Sequence, residues 1–276
     1  MKKALLTSEE PMTDDQKRQL VRLGEDSVRK GLKIIRPSKL GAQRIHACGD
    51  ELMNVIIDKM RELSFTLPEL LGFTIADWQK LYGVSFTQDQ IARMKNQFPW
   101  SDTILNSPCP FHPGKIVRET HFAFMGVDTV SIMELQKLNP RETEPRFYRY
   151  APDAWYTNEQ FANEVTLRLR WYLLLKDIVP NSENKTFDEQ KAMLPKEYEV
   201  PSAVVETAKD LLIYKKTGIY VNPDRYARTA DLDSDRSRVD VGGCGAGGVL
   251  VDYYRWDDLR RACIGVAASR KFEHES

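Results

Sequence analysis

No run of apolar residues in this chain approaches the ~18 that a membrane-crossing helix needs, so no membrane partner is expected. Charge of one sign is not in excess either. Lys plus Arg number 40, Asp plus Glu number 40, and the formal net charge is zero. A general nucleic-acid binder carries surplus positive charge against phosphates, so no nucleic-acid partner is expected. Cysteine is scarce. Cys48, Cys109, Cys244 and Cys263 stand far apart with no C-x-x-C pair, which reads as free thiols in a reducing compartment. Cys244 and Cys263 are placed where strands could bring them together, but nothing demands it. The N-terminus has Lys2 and Lys3, as a signal peptide would, with no apolar stretch behind them. The default expectation is a cytoplasmic product; release by lysis or a dedicated secretion system would leave no trace here.

A further absence is local. From Thr217 to Arg270 there is no Lys, Glu, Gln or Met, although all four are common before it. Every charge in that span is an Asp or an Arg. The chain as a whole has the composition of a globular protein, 42% hydrophobic and 10% aromatic over 276 residues. That suffices for a core in one large domain or two modest ones.

Residues 1–10 read as a loose tail. Thr13, with Asp14 and Asp15 in the following turn, caps a helix to Pro37 on which Leu20, Leu23, Ser27, Gly31 and Ile34 keep helical spacing. A second helix fits 40–63, with Ile45, Leu52, Val55, Ile56, Met60 and Leu63 on one face. Two short helices follow at 75–78 and 88–98, with Thr74 and Thr87 as caps. Residues 11–98 therefore form a helical segment, whose plain role is packing or homo-oligomerisation. It shows no compact basic recognition helix of the kind that reads DNA.

Proline-rich 107–114 excludes a helix or an inner strand. A strand is expected over 115–126, a short helix over 131–138, extended chain at 147–150, a further element over 155–162 and a buried strand early in 166–179. A polar connection spans 179–198. Pro201 opens a helix with Val204, Ala208, Leu211 and Leu212 as its buried stripe and Gly218 as its C-terminal cap. Short strands are expected at 219–221, 226–229, 238–241, 248–251 and 264–267. Helix first, then a meander of strands, is an α+β arrangement.

The last strands hold two interleaved sets of residues. Val239, Val241, Gly248, Val249, Val251, Trp256, Gly265, Val266 and Ala268 read as framework. Between them stand Gly243, Cys244, Gly245, Gly247, Leu250, Asp252, Tyr253, Tyr254, Arg255, Asp258, Leu259, Arg261, Ala262 and Cys263. This second set mixes tiny, aromatic, acidic, basic and thiol side chains without amphipathic logic. Each is encodable by a codon with two free bases and a third-position pyrimidine; Lys, Glu, Gln, Met and Trp are not, and none is present. A segment scrambled at asparagine codons would have this composition. A face tolerates such change only if its side chains point out from a scaffold held elsewhere. Tyr253, Tyr254 and nearby Trp256 offer large contact area at low entropic cost. Arg255 and Arg261 offer charge and planar hydrogen bonding, Asp252 and Asp258 the opposite charge, and residues 243–248 a flat edge.

From about Cys109 to Phe272, and most strongly after Glu197, the chain resembles the variable proteins of diversity-generating retroelements, which carry a C-type lectin fold. Glu199-Val-Pro-Ser-Ala-Val-Val-Glu206 is similar to the start of that fold's second helix, and Tyr226-Ala-Arg-Thr-Ala-Asp231 to the strand before the variable segment. Trp256-Asp-Asp-Leu-Arg260 and Ile264-Gly-Val-Ala-Ala-Ser-Arg-Lys-Phe272 are similar to the closing framework. The resemblance implies a C-type-lectin-like domain over 99–276 with a variable region at about 239–272. It also implies a reverse transcriptase that copies a template with errors at adenines, so that the altered face is tested against new targets. The expectation is a non-enzymatic, receptor-type protein that binds a target ligand, taken to be a protein. No catalytic residue, metal or cofactor is expected.

Other motifs in the chain are incomplete. Asp231-x-Asp233-x-Asp235 has calcium-type spacing, but the helix-loop-helix loop wants Gly at 236 and Glu at 242, where Arg and Gly stand. The fold is shared with formylglycine-generating enzymes, whose reactive cysteines sit in a pocket rather than on a variable face. Gly242-x-x-Gly245-x-Gly247-Gly248 lacks the Lys-Ser/Thr of a phosphate-binding loop. Two alternatives stay open: an enzyme or metal-binding site near Cys109–His121, drawing on His112, Glu119 or Asp128, and an adaptor working through 11–98.

Overall fold

The segment His121–Met125 is apolar on both sides of an extended chain, and all five residues are buried. A strand of that kind needs cover on both faces. A computed structural model describes residues 72–95, 98–148, 150, 153–254 and 260–271. In it this segment is β2, paired in parallel with β1 (Gly72–Phe73) and antiparallel with β3 (Trp171–Leu175). β3 continues through β9 (Ser269–Arg270) to β4 (Tyr198–Glu199), completing a five-stranded sheet. The second sheet has four strands in the order β7-β6-β5-β8. They are β5 (Tyr226–Leu232), β6 (Arg238–Gly245), β7 (Gly248–Tyr254) and β8 (Ile264–Val266). Together with the helices this is an α+β architecture.

The tail, the helices expected over 13–37 and 40–63, and Cys48 lie outside the described residues. The described end of the helical segment is part of the same compact unit as the C-terminal strands, so the chain does not divide at 98/99. α1 (Ile75–Tyr82) starts at Thr74, which forms a capping box with Asp77, and stops at Gly83 in the left-handed region. Its Trp78 is fully buried and donates its indole N–H to the Met125 carbonyl at 2.6 Å. α2 (Gln88–Lys95) is opened by reciprocal bonds between Thr87 and Gln90.

Between β1 and β3 come α3 (Asp102–Leu105), α4 (Val117–Thr120), α5 (Ile132–Leu138, capped by Ser131), a 3-10 turn over Trp155–Asn158 and α6 (Gln160–Asn163). α4 occupies what the sequence suggested as the start of the β2 strand. α7 (Phe187–Ala192) lies inside the stretch expected to be plain connection. Its signal was the Thr186–Glu189 capping box. The strand expected at 219–221 does not form: Ile219 is exposed, and Tyr220 packs on Tyr214 with ring centroids 4.1 Å apart.

α8 (Ala203–Thr217) holds the two sheets together. It packs on β5, β6 and β7 of one sheet and on β1 and β2 of the other. Every residue from Ala203 to Ile213 is buried, so the one-sided stripe expected of it is replaced by burial on all sides. The helix starts at Ala203 rather than at Pro201, with Ser202 as its cap residue, and its first N–H, that of Ala203, is met by Asp231 Oδ2 at 2.6 Å. Asp233 Oδ1 accepts the Ser237 N–H at 2.7 Å. Of the calcium-like triplet, Asp231 is therefore occupied at the start of α8 and Asp233 in a local turn. No helix among the described residues is long and apolar enough to cross a membrane.

Candidate functional site

The β6–β7 hairpin separates its residues by alternation. Val239, Val241, Val249 and Val251 point into the core with α8 and are at most 1% exposed. The opposite side is built in rows by the register. Tyr226, Gly242 and Leu250 form one row, Arg228, Asp240 and Asp252 the next, and Arg238 lies beside Tyr254. Leu250, Asp252 and Tyr254 are partly exposed on this outer side. Arg261 is exposed, and its guanidinium carbon lies 5.5 Å from the centre of the Tyr254 ring, within cation–π range. Cys263 is half-buried beside Tyr226, whose N–H donates to the Cys263 carbonyl at 2.8 Å.

β7 lies at the edge of its sheet, where unpaired backbone groups normally leave a strand free to fray or to pair elsewhere. Here that edge is occupied. The Val251 carbonyl accepts from the Tyr150 hydroxyl at 2.7 Å and the Trp155 indole at 2.9 Å. Val249 exchanges backbone bonds with Arg146 and Tyr148 at 2.8 and 2.9 Å. The backbone carrying Leu250, Asp252 and Tyr254 is thus held independently of their side chains. Gly265, expected as framework, is buried, and a Cβ there would lie 2.5 Å from Ser182 Oγ and 2.6 Å from Ile178 Cδ1.

Comparison with family models, curated proteins and solved structures returned no match to this chain.

Two residues expected on the face are not there. Cys244 is buried, and its thiol donates to Asp210 Oδ2 at 3.2 Å. Simple alternation would point it outward. A register shift between Gly242 and Gly245, with Gly243 at φ +56, inserts an extra residue and turns it inward. Tyr253 follows Val249 and Val251 to the inner side and packs on Trp155, ring centroids 4.6 Å apart. Gly245 and Gly247 sit at the hairpin turn, Gly243 and Leu250 beside it, and Arg261 and Ala262 are exposed ahead of β8. Arg255, Asp258, Leu259 and the framework residue Trp256 lie outside the described residues. Cys244 and Cys263 are free thiols, as is Cys109.

Two outer residues were missed in the sequence. Tyr226 was read only as part of a strand, though its ring stands beside the variable positions, and burial, then Asp252 and Asp240, push its hydroxyl up to about 12. Asp240 is wholly buried beneath Asp252, and neither of its carboxyl oxygens has a hydrogen-bond partner. Burial, reinforced by Asp252 and partly opposed by Arg228, raises its pKa well above the usual carboxylate range.

Beneath the hairpin α8 carries a buried ionic cluster. Lys209 Nζ lies 2.6 Å from Glu206 Oε1, and donates to the Lys176 carbonyl at 2.9 Å. Asp210 Oδ1 lies 3.1 Å away, an ion pair without hydrogen-bond alignment. Two carboxyls share one ammonium, so one of them is favoured in its neutral form. Burial lifts Glu206 to about 7 despite Lys209, and also raises Asp210. Burial alone would lower Lys209, but Asp210 and Glu206 raise it.

A folded-state pKa of about 7 against 4.5 when unfolded means the folded protein holds this proton more tightly. The associated stability is complete below pH ~4.5 and is lost as pH rises to ~7, in total roughly 3 kcal/mol. Glu206→Gln, which mimics the protonated acid, is expected to match the parent near pH 5 and exceed it at pH 8. Urea unfolding at the two pH values checks this; parallel losses in both proteins would contradict it.

Near Cys109–His121 the Cys109 and His121 side chains are engaged in the core and Glu119 in a local cap. His121 is fully buried, with Nδ1 near Thr120 Oγ1 (2.9 Å) and the Val117 carbonyl (3.1 Å) and Nε2 at 3.1 Å from the Tyr198 hydroxyl. Burial lowers its pKa to about 3, leaving it neutral. Glu119 caps Ile116 N–H and Asp128 accepts from Leu169 N–H, so neither orients the His121 ring. Among the described residues no group of three or more His, Cys, Asp or Glu is arranged to hold a metal ion.

Proposed function

We propose that this chain is a non-enzymatic, receptor-type binding protein with a C-type-lectin-like domain. Its outer β6–β7 face would be diversified by a retroelement to recognise varied targets, taken to be protein surfaces. The observation that carries this reading is the division of labour along the hairpin. Core-facing Val239, Val241, Val249 and Val251 are uniformly apolar, with Cys244 and Tyr253 turned to the same side, while the outward positions Leu250, Asp252 and Tyr254, with Arg261 beside them, differ from one another in size, charge and polarity. A fixed edge supports them through Tyr150 and Trp155. The division lets contact chemistry change without disturbing the frame, as antibody loops do on their sandwich. Tyr226, outside the expected variable region, would be a constant aromatic contact beside changing ones.

Sequencing the locus tests the reading. It expects a reverse-transcriptase gene nearby and a near-copy of the segment encoding 239–272. The two copies should differ only where the second has adenine, and the differing codons should include those of Leu250, Asp252, Tyr254 and Arg261. Differences concentrated instead in the codons of Val239, Val241, Val249 and Val251, or no second copy, would reject it.

A further inference from the structure

Where β4 meets the ends of β5 and β6, α7 and the chain after it enclose an open cleft of about 520 Å³. That size suits a small organic ligand. Its walls are charged in one sense. Lys191, Lys196, Lys271 and Arg238 line it, against the single carboxylate of Glu199. In a chain of zero net charge this is a local concentration of positive potential, and a concave, partly apolar site strengthens such a field.

Two of the cations are held in place. Arg238 is only 9% exposed, donates to the carbonyls of Thr229 and Ala230 at 3.3 and 3.0 Å, and lies 3.7 Å over the Phe187 ring. Lys271 Nζ is anchored on the Lys196 carbonyl at 2.9 Å. The remaining surface is apolar: Phe187, Leu194, Pro195 and Val200, with Tyr198 beside them. We propose that this cleft binds a small anion carrying an apolar body, such as an aryl phosphate, sulfate or carboxylate. Its anionic head would meet the lysines and its body would lie on the apolar wall. This does not rest on the diversified-face reading, since Lys191, Lys196, Glu199 and Lys271 lie outside the hairpin.

The test titrates the full chain with phenyl phosphate, followed by ligand-observed NMR, with benzyl alcohol as the uncharged analogue. Saturable binding of phenyl phosphate is expected, weakened by added salt, with no response to benzyl alcohol. The triple variant Lys191→Gln, Lys196→Gln, Lys271→Gln should weaken binding at least tenfold. Lys191→Gln alone, at an exposed position with little folding burden, should weaken it about threefold. No binding by the parent chain, equal binding of benzyl alcohol, or unchanged affinity in Lys191→Gln and the triple variant would overturn the proposal.

Discussion

Lys209→Met is expected to lower the stability of the folded chain by roughly 3–5 kcal/mol at neutral pH. Methionine fits the volume and is tolerated in helices, so neither propensity nor packing is the main cost. The cost is electrostatic. Glu206 and Asp210 are both buried and rely on one ammonium, while Cys244 already donates its weak hydrogen bond to Asp210. Without Lys209, an ionised carboxylate would stand unpaired in the buried interior, and the folded chain must take up protons at both acids to avoid that. The Lys176 carbonyl also loses its donor. The destabilisation should therefore shrink as the pH falls through the ordinary carboxylate range, where the unfolded chain takes up protons at both acids as well. Urea unfolding at pH 7.5 and pH 4.5 measures it. A loss below about 1 kcal/mol at pH 7.5 would show that the cluster is solvated and not part of the core.

The second large effect separates two glycines three residues apart. Gly248→Ala is expected to cost roughly 3 kcal/mol, and Gly245→Ala to stay within about 0.5 kcal/mol. At Gly248 the backbone has φ +110, which L side chains rarely adopt, and an added Cβ would lie 2.4 Å from the Phe147 carbonyl carbon and 2.5 Å from the Tyr148 nitrogen. Those neighbours are backbone of the segment that pins the β7 edge, so they cannot yield cheaply. At Gly245 nothing lies within 4 Å of the added atom. Thermal melts of the two variants decide it. Equal losses would mean that the hairpin turn, too, is under packing constraint and unsuited to a changeable surface.

Much of the fold was legible because it obeys short-range rules. Thr74, Thr87 and Gly218 were placed as helix ends from residue type alone. β2, β3, β5, β6, β7 and β8 follow runs of apolar and β-branched residues. What was not legible depends on partners distant in sequence. The apolar stripe of Val204, Ala208, Leu211 and Leu212 on α8 was visible, but its polar side is covered as well, because a second sheet lies over it. Nothing local to Glu206, Lys209 or Asp210 announces that. α4 and α7 are single-turn or two-turn helices inside stretches whose composition suggests strand or loop. At the face, alternation alone would have separated Tyr253 from Tyr254. Cys244 could not be assigned in that way, because one inserted residue at the bulge reverses the side to which it points. Asp240 carried no signal as a single buried acid in a strand of valines and glycines.

The account stands on outward side chains being exchangeable over a frame that is not. The direct measurement is simultaneous randomisation of Leu250, Asp252, Tyr254 and Arg261, with the folded fraction of the library scored by protease resistance, beside a matched library at Val239, Val241, Val249 and Val251. Most members of the first library should remain folded, helped where loss of Asp252 relieves the buried Asp240, and few members of the second. Comparable collapse of the two libraries would contradict the account.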